Sequence, residues 1–87
     1  MDERIRRARV KARQLAPILA IGKNGIGEGT VSLIKRELDQ KRLIKIKLLK
    51  AALAQYPRDE LVHEIVRTTG SVLVHVVGNV VVLGKQG

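Results

Sequence analysis

Four of the chain's eight glycines fall within nine residues, Ile21-Gly22-Lys23-Asn24-Gly25-Ile26-Gly27-Glu28-Gly29. No regular element survives that density. The apolar run Ile18-Leu19-Ala20-Ile21 precedes it, behind Pro17, and reads as a strand. From Thr30 onward Val31, Ile34 and Leu38 recur at helical spacing. The stretch therefore reads as a tight loop between a strand and a helix. Glycine admits positive φ and lets another backbone approach closely. The helix that follows would offer unpaired N–H groups and the positive end of its dipole. Such a loop suits a phosphate, with Lys23 adding a charge and Asn24 an amide donor. Read alone, it could equally be a connector.

Charge distribution favours the phosphate. The net charge is +9, from 17 basic and 8 acidic residues. Residues 1–50 hold 14 of the bases and 5 of the acids, so the excess lies wholly in that half. A one-sided excess points to a polyanionic partner rather than to general solubility. With one Tyr and no Phe or Trp, domains that stack bases on aromatic platforms are disfavoured. Contacts to a nucleic-acid backbone remain.

The other elements follow from periodicity and punctuation. Residues 3–16 read as a helix with the apolar stripe Ile5, Ala8, Ala12, Leu15, ended by Pro17. Arg6, Arg9 and Arg13 fall on one flank of it, and Arg4, Arg7 and Lys11 on the other. A second helix is expected over residues 28–40. Residues 43–49 alternate: Ile44, Ile46 and Leu48 share one face, Lys45 and Lys47 the other. Strand, helix, strand implies a right-handed parallel crossover. Residues 50–57 could be a helical turn or a loop. A third helix follows Pro57 and ends at Gly70. Val72 to Val77 and Val80 to Leu83, joined by Gly78-Asn79, read as a hairpin. Its strands are apolar on both faces, so helices should cover both, the first helix being the candidate for the second face.

Catalytic chemistry is not legible. The glycine stretch is no Walker A loop, since Pro17 and Asn24 stand where Gly and Ser or Thr belong. With no cysteine, and with His63 and His75 outside ligand spacing, no metal, cofactor or small-molecule substrate is expected. No segment approaches the ~18 apolar residues of a membrane span. Nothing resembles a signal peptide, so a cytoplasmic location is expected.

Gly22-Lys23-Asn24-Gly25 is a Gly-x-x-Gly sequence, as in the KH loop that clamps a sugar–phosphate backbone. In order along the chain stand Leu15-Ala16-Pro17, Gly22-Lys23-Asn24-Gly25-Ile26, Leu43-Ile44-Lys45-Ile46-Lys47, Thr69-Gly70, Val76-Val77-Gly78 and Val81-Val82-Leu83. In these the chain resembles the CRM domain (chloroplast RNA splicing and ribosome maturation) in its YhbY-like single-domain form. It departs from that family at Lys41-Arg42, Asn79 and Gly84, and no binding role is carried to the last two. The resemblance implies one domain over residues 1–87, an α/β fold in the order α-β-α-β-α-β-β. Its four-stranded mixed sheet would pack with three helices, like the C-terminal domain of translation initiation factor three. It implies a non-enzymatic RNA-binding protein, its target ribosomal RNA in large-subunit precursors.

Residues and resemblance together assign backbone contacts to Gly22, Lys23, Asn24 and Gly25, with Arg6, Arg9, Arg13, Lys45 and Lys47 widening the positive surface. A monomer is expected. The rival is a structural ribosomal or protein-interaction module whose basic face meets a protein.

Overall fold

A computed structural model describes residues 2–86. Its elements are α1 (Glu3–Ala12), β1 (Pro17–Ile21), α2 (Glu28–Lys41), β2 (Leu43–Leu48), α3 (Lys50–Gln55), α4 (Arg58–Thr69), β3 (Val72–Val77) and β4 (Val80–Gly84). The sheet order is β1-β2-β4-β3. β1 and β2 are parallel, while β2–β4 and β3–β4 are antiparallel. This is the expected four-stranded mixed sheet. Residues 50–55, left open between helix and loop, form a short helix, so four helices stand where three were expected. Ala52 explains it: one helical turn brings this small side chain fully into the core.

α1 starts at Asp2, whose Oδ1 accepts from the Arg4 amide at 2.8 Å. That bond, more than the nearby guanidinium, holds the exposed Asp2 carboxyl below its usual pKa. The helix ends at Ala12 and does not run to residue 16. The residue before a proline is driven from the helical region toward extended backbone. Residues 13–15 instead tighten into three-residue turns, with Arg13, Gln14 and Leu15 amides donating to Val10, Lys11 and Ala12 carbonyls. Pro17 then opens β1, an edge strand, where a missing N–H is tolerated.

β2 is central and buries Ile44, Ile46 and Leu48. With Ile21, Val81 and Leu83 they meet Ile34 and Leu38 of α2, Ala52 of α3 and Leu61, Val62 and Ile65 of α4. Ile46 is fully buried here. Ile46→Ala is expected to cost about 2–5 kcal/mol, read as a lower urea midpoint at unchanged m-value.

The opposite face is covered by α1, through Ile5, Ala8 and Ala12 against Leu43, Val74 and Val82. One short helix does not span the sheet, and Val72, Leu73 and Val77 of the edge strand β3 stay exposed. Gly70 ends α4 with φ +63°, and Gly78 opens the hairpin link with φ +56°. Positive φ at the first link residue is what the turn geometry matching strand twist asks for.

Candidate nucleic-acid interface

The glycine loop leaves the carboxyl end of β1. Ile21 is the last strand residue, in register with Leu48, and its carbonyl accepts from the Leu49 amide at 2.9 Å. Residues 22–25 then make a tight turn, closed by the Gly25 amide donating to the Gly22 carbonyl at 3.0 Å. Lys23 and Asn24 form its exposed tip. Among the described residues, the amides of Lys23 and Asn24 meet no intramolecular acceptor. Two peptide N–H groups without an acceptor among the described residues, one cation and one carboxamide thus lie on one small exposed turn. This is a donor-rich surface suited to an oxyanion.

The glycines are used differently from one another. Gly25 has φ +68°. A Cβ there would stand 3.1 Å from Tyr56 Cε2 and 3.2 Å from its Cζ and Oη. A Cβ at Gly22 would meet only Leu49 Cδ1, at 3.8 Å. The space expected to admit a ligand at Gly25 is therefore filled on that side by the chain's own tyrosine. What remains open to a ligand is the tip, 23–24. The helix end is also less inviting than its position implied. Gly27, the N-cap of α2, gives no side-chain cap, and Glu28 puts a carboxylate in the first turn. That charge opposes a phosphate at the helix end.

Register places the lysines. Lys47 pairs with Ala20 of β1 and Val80 of β4. From strand spacing its Cα lies roughly 8 Å from that of Gly22. Lys45 sits two residues further back on the same face. It shares an open groove of about 540 Å³ with Arg9, Arg13, His75 and Val80, between α1 and the sheet. The Arg9 Nε donates to the Val74 carbonyl at 3.1 Å, which fixes its guanidinium at the groove wall. Arg6 does not join this groove. It lies on the outer side of α1, bound to Glu3 at 2.9 Å. Arg4 is likewise tied to Asp2, and Arg7 to Glu3. Among the described residues, Lys23, Lys45, Lys47 and Arg13 have no carboxylate partner. The structure thus gathers Gly22, Lys23, Asn24, Gly25 and Lys47 at one end of the sheet, with Arg9, Arg13 and Lys45 on the adjoining face.

Sequence reasoning missed the neighbours that α3 supplies. Leu49 and Tyr56 are exposed beside the turn. The signal for Leu49 lay in the parallel register, which sets the residue after β2 against the residue after β1. Tyr56 had no local signal.

A turn whose tip amides have no acceptor among the described residues, at one end of a mixed sheet with a basic face, is the candidate site of this α/β domain. The chain belongs to the CRS1 / YhbY (CRM) domain family, whose profile it matches over residues 1–85. It is 35% identical over 78 residues to MJ0652 of Methanocaldococcus jannaschii, named "Probable RNA-binding protein". That match takes in 90% of this chain and spans 58% of the relative's length. It is 31% identical over 78 residues to YqeI of Bacillus subtilis, also named "Probable RNA-binding protein", covering 90% of this chain and 79% of that one. The solution structure of SAV1595 from Staphylococcus aureus superposes with a TM-score of 0.73 at 29% identity. It covers 95% of this chain and 84% of the other. Among the described residues no cluster of potential metal ligands occurs, and no helix is long and apolar enough to cross a membrane.

Proposed function

We propose that this protein binds structured RNA by its sugar–phosphate backbone, at the turn of residues 22–25 and the basic face beside it. The observation that carries the reading is the exposed Lys23-Asn24 tip. Its peptide N–H groups have no acceptor among the described residues, and Lys47 of the neighbouring strand pairs with Ala20, three residues before Lys23. Relatives named as RNA-binding proteins support it, as does the confinement of the excess charge to residues 1–50. Lys23 supplies charge, Asn24 and the turn amides supply directed donors, and Lys47, Lys45, Arg9 and Arg13 extend the track along the α1 face. Arg6, held by Glu3, contributes long-range field rather than a contact. The family resemblance supports ribosomal RNA of a large-subunit precursor as the target, and a role in ribosome maturation in the cytoplasm. Crosslinking in cells with sequencing of the bound RNA tests that target.

Binding built on phosphates releases counterions. With Lys23, Lys45, Lys47, Arg9 and Arg13 engaged, none of which has a carboxylate partner among the described residues, log K against log salt concentration should slope at roughly −3 or steeper. Filter binding across a salt series measures it. A slope near zero would remove the phosphate account. Retention of partners from an extract after RNase treatment would point instead to direct protein contact.

A further inference from the structure

Tyr56 is the chain's single aromatic residue, and it stands outside both hydrophobic clusters. Its side chain leans on the binding turn: Cε2, Cζ and Oη all lie within contact distance of the Gly25 Cβ position. Yet the residue remains 39% exposed. Leu49, also 39% exposed, takes the corresponding place beside Gly22. A Leu and a Tyr thus flank the two glycines of the turn, both half open to solvent. The backbone there is held in place. The Tyr56 amide donates to the Ala52 carbonyl at 2.9 Å, and the Leu49 amide to Ile21 at 2.9 Å. The extended conformation of Tyr56, φ −134° and ψ 137°, is the one Pro57 imposes on its predecessor. Lys50 follows Leu49 and Arg58 lies two residues after Tyr56, its guanidinium donating to the Gly78 carbonyl at 3.0 Å.

A ring that lays part of one face over the turn, in a residue still 39% exposed, is poorly explained by core packing. It is well placed to receive a planar group whose phosphate sits on the turn. A single ring cannot build the multi-base platform that the composition argues against, but it can take one base. A base pair inside a helix cannot reach it, because both its faces are already stacked. We propose that Tyr56, with Leu49 beside it, is a base-stacking wall, so that this site takes RNA with an unpaired nucleotide at the turn. This rests on the RNA reading above and adds to it the state of the nucleotide.

The chain offers its own probe. With no Trp, its intrinsic emission comes from Tyr56 alone. The test titrates the full chain with an oligouridylate and, separately, with a blunt RNA duplex of matched length. Anisotropy of the labelled RNA reads binding, and inner-filter-corrected tyrosine emission reads stacking. The proposal expects oligouridylate to bind and quench Tyr56. Tyr56→Leu should weaken that binding on the order of ten- to hundredfold, as loss of one stacked base does. Tyr56→Phe should keep it, and duplex binding should be the same in all three proteins. Oligouridylate that binds with emission unchanged overturns the wall and leaves backbone binding standing. So does a folded Tyr56→Leu protein with parental affinity for it. The emission readout needs no variant, so a misfolded Tyr56→Leu protein does not blunt the test. Failure of both RNAs to bind overturns the RNA reading itself.

Discussion

Replacing Lys23 and Asn24 together by alanine is expected to weaken RNA binding by roughly 1–3 kcal/mol, at the strength of charge-assisted hydrogen bonds with two side-chain donors lost. Both residues are exposed. Neither side chain makes a hydrogen bond or ion pair among the described residues. The urea midpoint should therefore move by no more than about 0.5 kcal/mol equivalent. Phosphate contacts carry no sequence information directly, so the loss should be alike for unrelated RNAs of one shape. The turn amides survive the substitution, which is why the loss stays partial. Equal binding by the double variant would make the turn a connector. The groove of Arg9, Arg13 and Lys45 would then be the place to look.

Gly25→Val should cost about 2–4 kcal/mol of stability. Two effects combine. The left-handed backbone at φ +68° disfavours any Cβ by roughly 1–2 kcal/mol, more for a branched one. Crowding the Tyr56 ring at 3.1 Å adds an overpacking cost of order 1–3 kcal/mol. The backbone term is the firmer of the two, because the ring can give a few tenths of an ångström and the φ cannot. Gly22→Ala is the control. Its φ is not positive and its Cβ would meet Leu49 at an ordinary 3.8 Å, so a change within about 0.5 kcal/mol is expected. Denaturant titration of both separates them. Equal costs would show that the two glycines are kept for the same reason, against the geometry described.

Much of this architecture could be read from punctuation. Pro17, Gly70 and the Gly78-Asn79 link mark real boundaries, and the alternation of Ile44, Lys45, Ile46, Lys47 and Leu48 is the pleat of the central strand. The apolar hairpin called for cover on both faces, and α1 gives part of it through Ala12, leaving Val72, Leu73 and Val77 exposed. Three features were hidden for physical reasons. The stripe of α1 continues to Leu15, but the steric demand of Pro17 on Ala16 acts first and ends the helix early. Residues 50–55 are too few to show a period, and their helix is decided by burial of Ala52. Tyr56 and Gly25 are far apart in sequence and meet only because α3 folds back over the end of the parallel pair. The same limit applied to the charges. Helical spacing put Arg6 with Arg9 and Arg13, whereas the acid one turn before it, Glu3, claims its side chain.

The central claim is that RNA is held at the end of the sheet where the glycine turn projects. An amide-resolved NMR titration of the full chain with RNA tests it most directly. The account predicts that the largest shift changes fall on Lys23, Asn24 and Gly25, with smaller ones at Lys47, Leu49 and Tyr56 and along Arg9 to Arg13. The outer faces of α2 and α4 should be unmoved. Changes concentrated on α2 and α4, with Lys23 and Asn24 undisturbed at saturation, would contradict it.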